Sequence, residues 1–339
     1  MNSLLEQARA LHEKGIRFCL AVVVGRSGSA PQVPGAKSLF LRSGEVIGTI
    51  GGGCLEAECR RLGLQAMHDG GFLCREFRLD DDFGWDDGLI CGGRVRVLLV
   101  PSSDELVSQL SRAVEEQAAG VIEYDLTRGR VRFLSRGDCA GDEPASEAMR
   151  TRRETLDGER FLEPVMPPER LIIFGAGHVG REVAKLGASL GFRVTVVDDR
   201  QDLLTERALP FAHERVCTLP EAYAHEMETD RDTFICVVTR GHRNDARVLK
   251  EVIHRERAYL GMIGSRRKRE VIRKEMVGEG ICTDGQFREV QSPMGLDIGA
   301  ESVEEIAVSI AAELVRVRAA KRGPLRARCP SPKARVIGD

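Results

Sequence analysis

Cys54 follows three glycines in Thr49-Ile50-Gly51-Gly52-Gly53-Cys54-Leu55-Glu56, where a strand pattern gives way to a helical one. Glycines in such a turn leave backbone N–H groups free to line a concave anion site. A cysteine in the first turn of the helix has its thiolate favoured by the helix dipole. A thiolate so placed is a candidate nucleophile, sulfur carrier or soft-metal ligand. The alternative is a plain glycine turn with a small packed cysteine. Leu89-Ile90-Cys91-Gly92-Gly93 repeats the pattern just before another strand. Cys54 and Cys91 are therefore the candidate reactive groups, with Gly51, Gly52, Gly53 and Glu56 as the candidate lining.

A second set of residues suits nucleotide chemistry. The apolar run from Leu171 to Phe174 delivers Gly175-Ala176-Gly177-His178-Val179-Gly180 directly. In such a fingerprint the first glycine permits the tight turn and the second admits a pyrophosphate. The third lets the helix pack on the strand. A further strand, Arg193–Val197, ends at Asp198, an acid that suits a ribose hydroxyl and repels a 2′-phosphate. Strand, helix, second strand and acid stand in register, which predicts a Rossmann βαβ unit. That unit binds a nucleotide or serves as scaffold alone. Two more segments leave strands at the same expected sheet edge, Thr239–Asp245 with His242 and Gly264–Arg269 with Arg266. His242 is a candidate acid–base group and Arg266 a candidate phosphate contact; helix capping and a solvated basic turn are the plainer explanations.

Positioning these residues takes two domains, which a chain of 339 residues accommodates. The periodicity predicts an N-terminal α/β domain over 1–135, with helices near 4–11, 55–68 and 104–118. Its strands are expected near 18–24, 38–42, 46–50, 72–79 and 94–100, with a hairpin over 121–134. The glycine-rich loop 25–37 looks like a further backbone cradle, with Lys37 as an anion partner. Residues 136–168 lose apolar periodicity and gain charge and proline, which predicts a linker. Strands and helices alternate over 169–300, the signature of a doubly wound parallel sheet. A capped helix covers 301–320, and a basic tail broken by glycine and proline covers 321–339.

Composition narrows the function classes. A net charge of −2 argues against a general nucleic-acid binder. No stretch reaches the roughly 18 apolar residues of a membrane helix, and the N-terminus lacks signal-peptide character. The cytoplasm is the expected compartment. The 10 cysteines form no C-x-x-C pair, so neither zinc nor a redox dithiol is indicated, and no metal ligands are assigned. Cys19 and Cys236 lie inside apolar strands and are expected to be core residues.

Taken together, GSAPQVPGAK, TIGGGCLEAE, LICGG, LIIFGAGHVG with VVDDR, TRGHRNDARVL, AYLGMIGSRRKR and GLDIGAESVEEIAVSIAAELV resemble the xanthine dehydrogenase accessory family of XdhC/CoxI type. The resemblance covers both domains. Cys54 and Cys91 match the family's characteristic cysteines, and Gly175, Gly177, His178 and Gly180 match its nucleotide loop. Gln32 and Arg240 depart from it, standing where arginine and a second histidine are usual. The resemblance implies binding of the molybdenum cofactor (molybdopterin), support of its sulfuration, and insertion into a molybdenum hydroxylase client. A cysteine desulfurase-type sulfur donor and a homodimer are the further expected partners. On this reading the protein is a chaperone more than a multiple-turnover enzyme. The alternatives are an NAD(P)-dependent oxidoreductase using the 175–180 loop, and a nucleotide-binding interaction module.

Overall fold

The computed structural model describes residues 2–28, 32–79, 93–115 and 119–323. Cys91, the acidic loop 80–88 and all but the start of the basic tail lie outside the described residues. The chain forms two units, Met1–Pro167 with the segment from Arg322, and Pro168–Lys321.

In the first unit, β1 (Phe18–Ser27) is buried along most of its length and lies at the centre of an antiparallel sheet. The strand order is β3-β2-β1-β5-β4, with β2 (Lys37–Leu41), β3 (Val46–Gly48), β4 (Leu73–Leu79) and β5 (Gly93–Pro101). Alternation along β1 sorts its side chains onto two faces. Cys19, Ala21 and Val23 pack beneath α2 (Gly53–Asp69), while Leu20, Val22 and Val24 join α1 (Asn2–Glu13) and α3 (Asp104–Glu115).

Residues 136–168 do not form the expected linker. They contain α4 (Glu143–Thr151), β8 (Thr155–Asp157) and β9 (Arg160–Val165). Strand β9 pairs with β6 (Gly120–Asp125) inside a second antiparallel sheet, β7-β6-β9-β8, where β7 is Arg130–Ser135. The expected hairpin is therefore half of a four-stranded sheet. The polar residues that conceal β9 are paired within the fold. Glu163 is buried against the ammonium of Lys37 and accepts from the Tyr124 hydroxyl at 2.9 Å. Glu123 is buried against Arg132 and Arg160. Lys37, expected to meet an anion, is thus committed to an internal carboxylate, with side chains only 5% and 1% exposed for Lys37 and Glu163.

The second unit is a parallel sheet of order β12-β11-β10-β13-β14, the crossover topology of a doubly wound fold. Its strands are β10 (Arg170–Phe174), β11 (Arg193–Asp198), β12 (Glu214–Cys217), β13 (Thr233–Val237) and β14 (Tyr259–Met262). Helices α5 (His178–Ser189) and α10 (Val303–Arg322) cover one face around Leu171, Ile173 and Val196. Helices α6 (Pro220–Glu226), α7 (His242–Val252), α8 (Arg266–Gly278) and α9 (Asp284–Arg288) cover the other around Ile172, Phe174 and Ile235. The capping box expected at Ser302 and Glu305 is present, with reciprocal bonds of 3.0 and 3.2 Å. Strand β12, α6 and α9 escape a reading of the sequence because each is only four to seven residues long. Among the described residues no helix is long and apolar enough to cross a membrane.

Asp198 ties β11 to the turn after β10. Its carboxylate accepts from the Ala176 N–H at 2.7 Å, the Arg200 N–H at 3.0 Å, and both sides of the Arg200 guanidinium at 2.8 Å. Burial pushes this carboxyl up, but the Arg200 and Ala176 donors outweigh it and hold Asp198 at about 2, below its ordinary 3.8.

These buried charges have measurable consequences for stability. Glu163→Ala leaves the Lys37 ammonium buried without its partner, and should cost roughly 3–5 kcal/mol in denaturant unfolding; an unchanged midpoint would contradict the network's role. Asp198 has a depressed native pKa, so its contribution is complete above the ordinary value and is lost as pH falls through about 2. Wild type should therefore lose roughly 1–2 kcal/mol more than Asp198→Asn between pH 4 and pH 2, with exposure and screening allowed for. Parallel stability curves for the two proteins would count against the clamp.

Candidate functional site

The first candidate site is built by glycine stereochemistry. Gly51, Gly52 and Gly53 have φ of 133°, 69° and 57°, a left-handed run that side chains would strain. The run turns the chain out of β3 and into α2, with Gly52 at the N-cap. A Cβ placed on Gly52 or Gly53 would meet nothing within 4 Å among the described residues, so the turn borders open space there. Cys54 is half-buried in the first turn of α2. The amides of Gly52, Gly53 and Cys54 have no acceptor among the described residues. Glu56 folds back across the turn, accepting from the Thr49 hydroxyl at 3.0 Å and the Ile50 N–H at 3.4 Å. Its carboxylate therefore braces the glycine run.

The other cysteines of this region differ in kind. Cys19 on β1 and Cys59 on α2 are fully buried in the core between that helix and the sheet, and burial pushes both thiols up to about 12. Cys236, inside β13, is likewise pushed up to about 12 by burial. These are neutral core thiols, as the apolar flanks of Cys19 and Cys236 imply. Cys91 lies outside the described residues, so of the two glycine-flanked cysteines only Cys54 has a described setting.

The second candidate site lies at the carboxyl ends of β10, β13 and β14. At Gly175, φ is +120° and an added Cβ would fall 2.4 Å from the Val238 carbonyl oxygen. An added Cβ on Gly180 would fall 1.9 Å from the Gly175 carbonyl oxygen. Both positions demand glycine for close packing. Gly177 is different, because a Cβ there would meet nothing within 4 Å among the described residues. It caps α5 beside open space, the geometry that admits a pyrophosphate. His178, the first residue of α5, is exposed.

Asp198 does not stand ready for a ribose. A carboxylate offers about four lone-pair positions, and its four bonds to Ala176 and Arg200 occupy them. The fingerprint therefore fits a phosphate at Gly177 but not a hydroxyl at Asp198. Arg200 is the partner that residue type alone does not announce, two positions beyond the acid it neutralises.

His242 and Arg266 are exposed at the heads of α7 and α8. No hydrogen bond orients the His242 ring among the described residues. Behind these tips, Asp245 is completely buried and accepts from the Thr239 hydroxyl at 2.6 Å and the Thr239 N–H at 3.2 Å. Its other oxygen meets the Lys268 ammonium. Burial raises the Asp245 carboxyl against the pull of Lys268 and Thr239. Lys268 is hidden among its basic neighbours in the sequence because only its position, not its residue type, sets it apart.

Comparison with known proteins bears on both units. A model of the XdhC and CoxI family matches residues 11–78, and a model of the XdhC Rossmann domain matches residues 171–314. The chain is 29% identical over 330 residues to a probable xanthine dehydrogenase subunit from Bacillus subtilis strain 168, covering 91% of this chain and 96% of that protein. It is 23% identical over 302 residues to the molybdenum cofactor insertion chaperone PaoD of Escherichia coli K12, covering 88% and 83%. A crystal structure described as a xanthine dehydrogenase from Bacillus halodurans superposes with a TM-score of 0.75 at 25% identity, over 92% of this chain and 95% of that one. Two XdhC models thus match in order along one polypeptide, and the chain belongs to the XdhC and CoxI family.

Proposed function

We propose that this protein is an accessory chaperone that receives molybdenum cofactor and delivers it to a molybdenum hydroxylase of the xanthine dehydrogenase type. The observation that carries this reading is the half-buried Cys54 thiol, set beside a left-handed glycine run that borders open space. The cargo supplies a phosphate and a soft metal held by sulfur. Amides of Gly52, Gly53 and Cys54 suit the phosphate, and the Cys54 sulfur suits the metal. Glu56 keeps the turn closed through Thr49 and Ile50, so those amides stay presented without a side chain covering them. Cys91, flanked by glycines in the sequence, is the second candidate thiol of the same site.

The relative named as a molybdenum cofactor insertion chaperone supports the same reading. Sulfuration of the cargo belongs to it, with sulfur arriving from a cysteine desulfurase-type donor. An NAD(P)-dependent oxidoreductase fits less well. Asp198 is already saturated by Ala176 and Arg200, and His242 lacks a group to set its tautomer among the described residues.

Expressed in a host that makes the cofactor, the full chain should purify with molybdenum and pterin and should activate a cofactor-free hydroxylase. Cys54→Ser should retain the fold and lose about tenfold or more of the bound molybdenum, the scale expected when a metal-site group is removed. Equal molybdenum content and equal transfer by the two proteins would refute the assignment of Cys54.

A further inference from the structure

The carboxyl ends of β13 and β14 carry positive charge that the fold does not use. Arg240, His242 and Arg243 stand on the turn into α7, and Arg266 and Arg267 on the turn into α8, all of them exposed. None of these side chains meets a carboxylate among the described residues. Elsewhere in the same unit Arg200, Arg247, Arg273 and Arg316 each lie against an acid. The one acid within the first turn of α7, Asp245, is withdrawn completely from the surface and spends its charge on Lys268.

The same buried pair fixes the two basic turns side by side. Asp245 belongs to α7 and Lys268 to α8, and Lys268 also donates to the Ile263 carbonyl at 3.0 Å. Strands β13 and β14 are parallel neighbours with Val237 opposite Met262, so the turns leave the sheet level with one another, about 5 Å apart. Burying an ion pair is costly in desolvation. Here it holds two arginine-bearing turns together and removes the charge that would repel an anion.

We propose that this edge binds the diphosphate of a small phosphorylated molecule, with Arg240 and Arg243 on one side and Arg266 and Arg267 on the other. Guanidinium groups on two fixed turns match phosphoryl oxygens arranged as forks, which single lysines do not. The neighbouring strand β10, with Phe174 opposite Val237, ends at the open Gly177 turn, so the rest of the molecule has room there. The site goes beyond the cofactor-transfer reading, because no part of it involves Cys54 or molybdenum.

Titration calorimetry of the full chain with inorganic pyrophosphate tests the site without any molybdenum assay. Pyrophosphate should bind saturably and at least about tenfold more tightly than orthophosphate. Each double variant, Arg240→Ala with Arg243→Ala and Arg266→Ala with Arg267→Ala, should weaken it about tenfold or more, the scale of charged hydrogen bonds. Arg193→Ala with Arg231→Ala removes the same charge from exposed positions at the opposite ends of β11 and β13, and should change affinity less than about twofold. No saturable binding, equal affinity for orthophosphate, or an equal loss in the Arg193/Arg231 control would overturn the proposal.

Discussion

The second unit is organised around one close approach, that of the first turn of α5 to the end of β10. Only a bare Cα at Gly180 can sit against the Gly175 carbonyl, and only a bare Cα at Gly175 can turn beneath Val238. Once that contact forms, the Ala176 N–H points at Asp198, and Arg200 closes the carboxylate from the other side. The turn is thereby fixed from β10, β11 and β13 together. Gly177 is the one glycine of the three with open space in front of it among the described residues. Packing and ligand access are thus divided among residues that share one fingerprint.

The first unit uses glycine for direction more than for closeness. Three consecutive left-handed positions swing the chain from β3 into α2 and set Cys54 at the start of the helix. Behind the sheet, polar groups are tolerated because they are matched: Glu163 with Lys37 and Tyr124, and Glu123 with Arg132 and Arg160. A charge in this interior is inexpensive only while its partner is present. In the second unit Asp245 and Lys268 follow the same rule, with the consequence that the surface beside them is left cationic.

Legibility in the sequence tracks the kind of signal. The βαβ unit over 171–198 is readable because apolar strands, glycine spacing and a terminal acid agree with one another. Helix α10 is readable from its stripe and its Ser302–Glu305 cap. Strand β9 is not, because Arg160 and Glu163 interrupt its apolar run and their partners lie 37 and 126 positions away in sequence. The pairing of Asp198 is hidden for a similar reason. A strand-end acid signals ribose binding by type, whereas its saturation by Arg200 and Ala176 is visible only in three dimensions. Cys54 can be singled out by its glycines, and distinguished from Cys19 and Cys59 by burial alone.

The proposed function makes Cys54 the group that meets the cargo. Its accessibility measures this directly, with exposed Cys217 as an internal reference. The full chain, with and without bound molybdenum cofactor, would be treated briefly with iodoacetamide and the alkylated cysteines quantified by mass spectrometry. Loaded protein should show strong protection of Cys54 and unchanged labelling of Cys217. Equal labelling of Cys54 in loaded and empty protein would contradict its place at the cofactor.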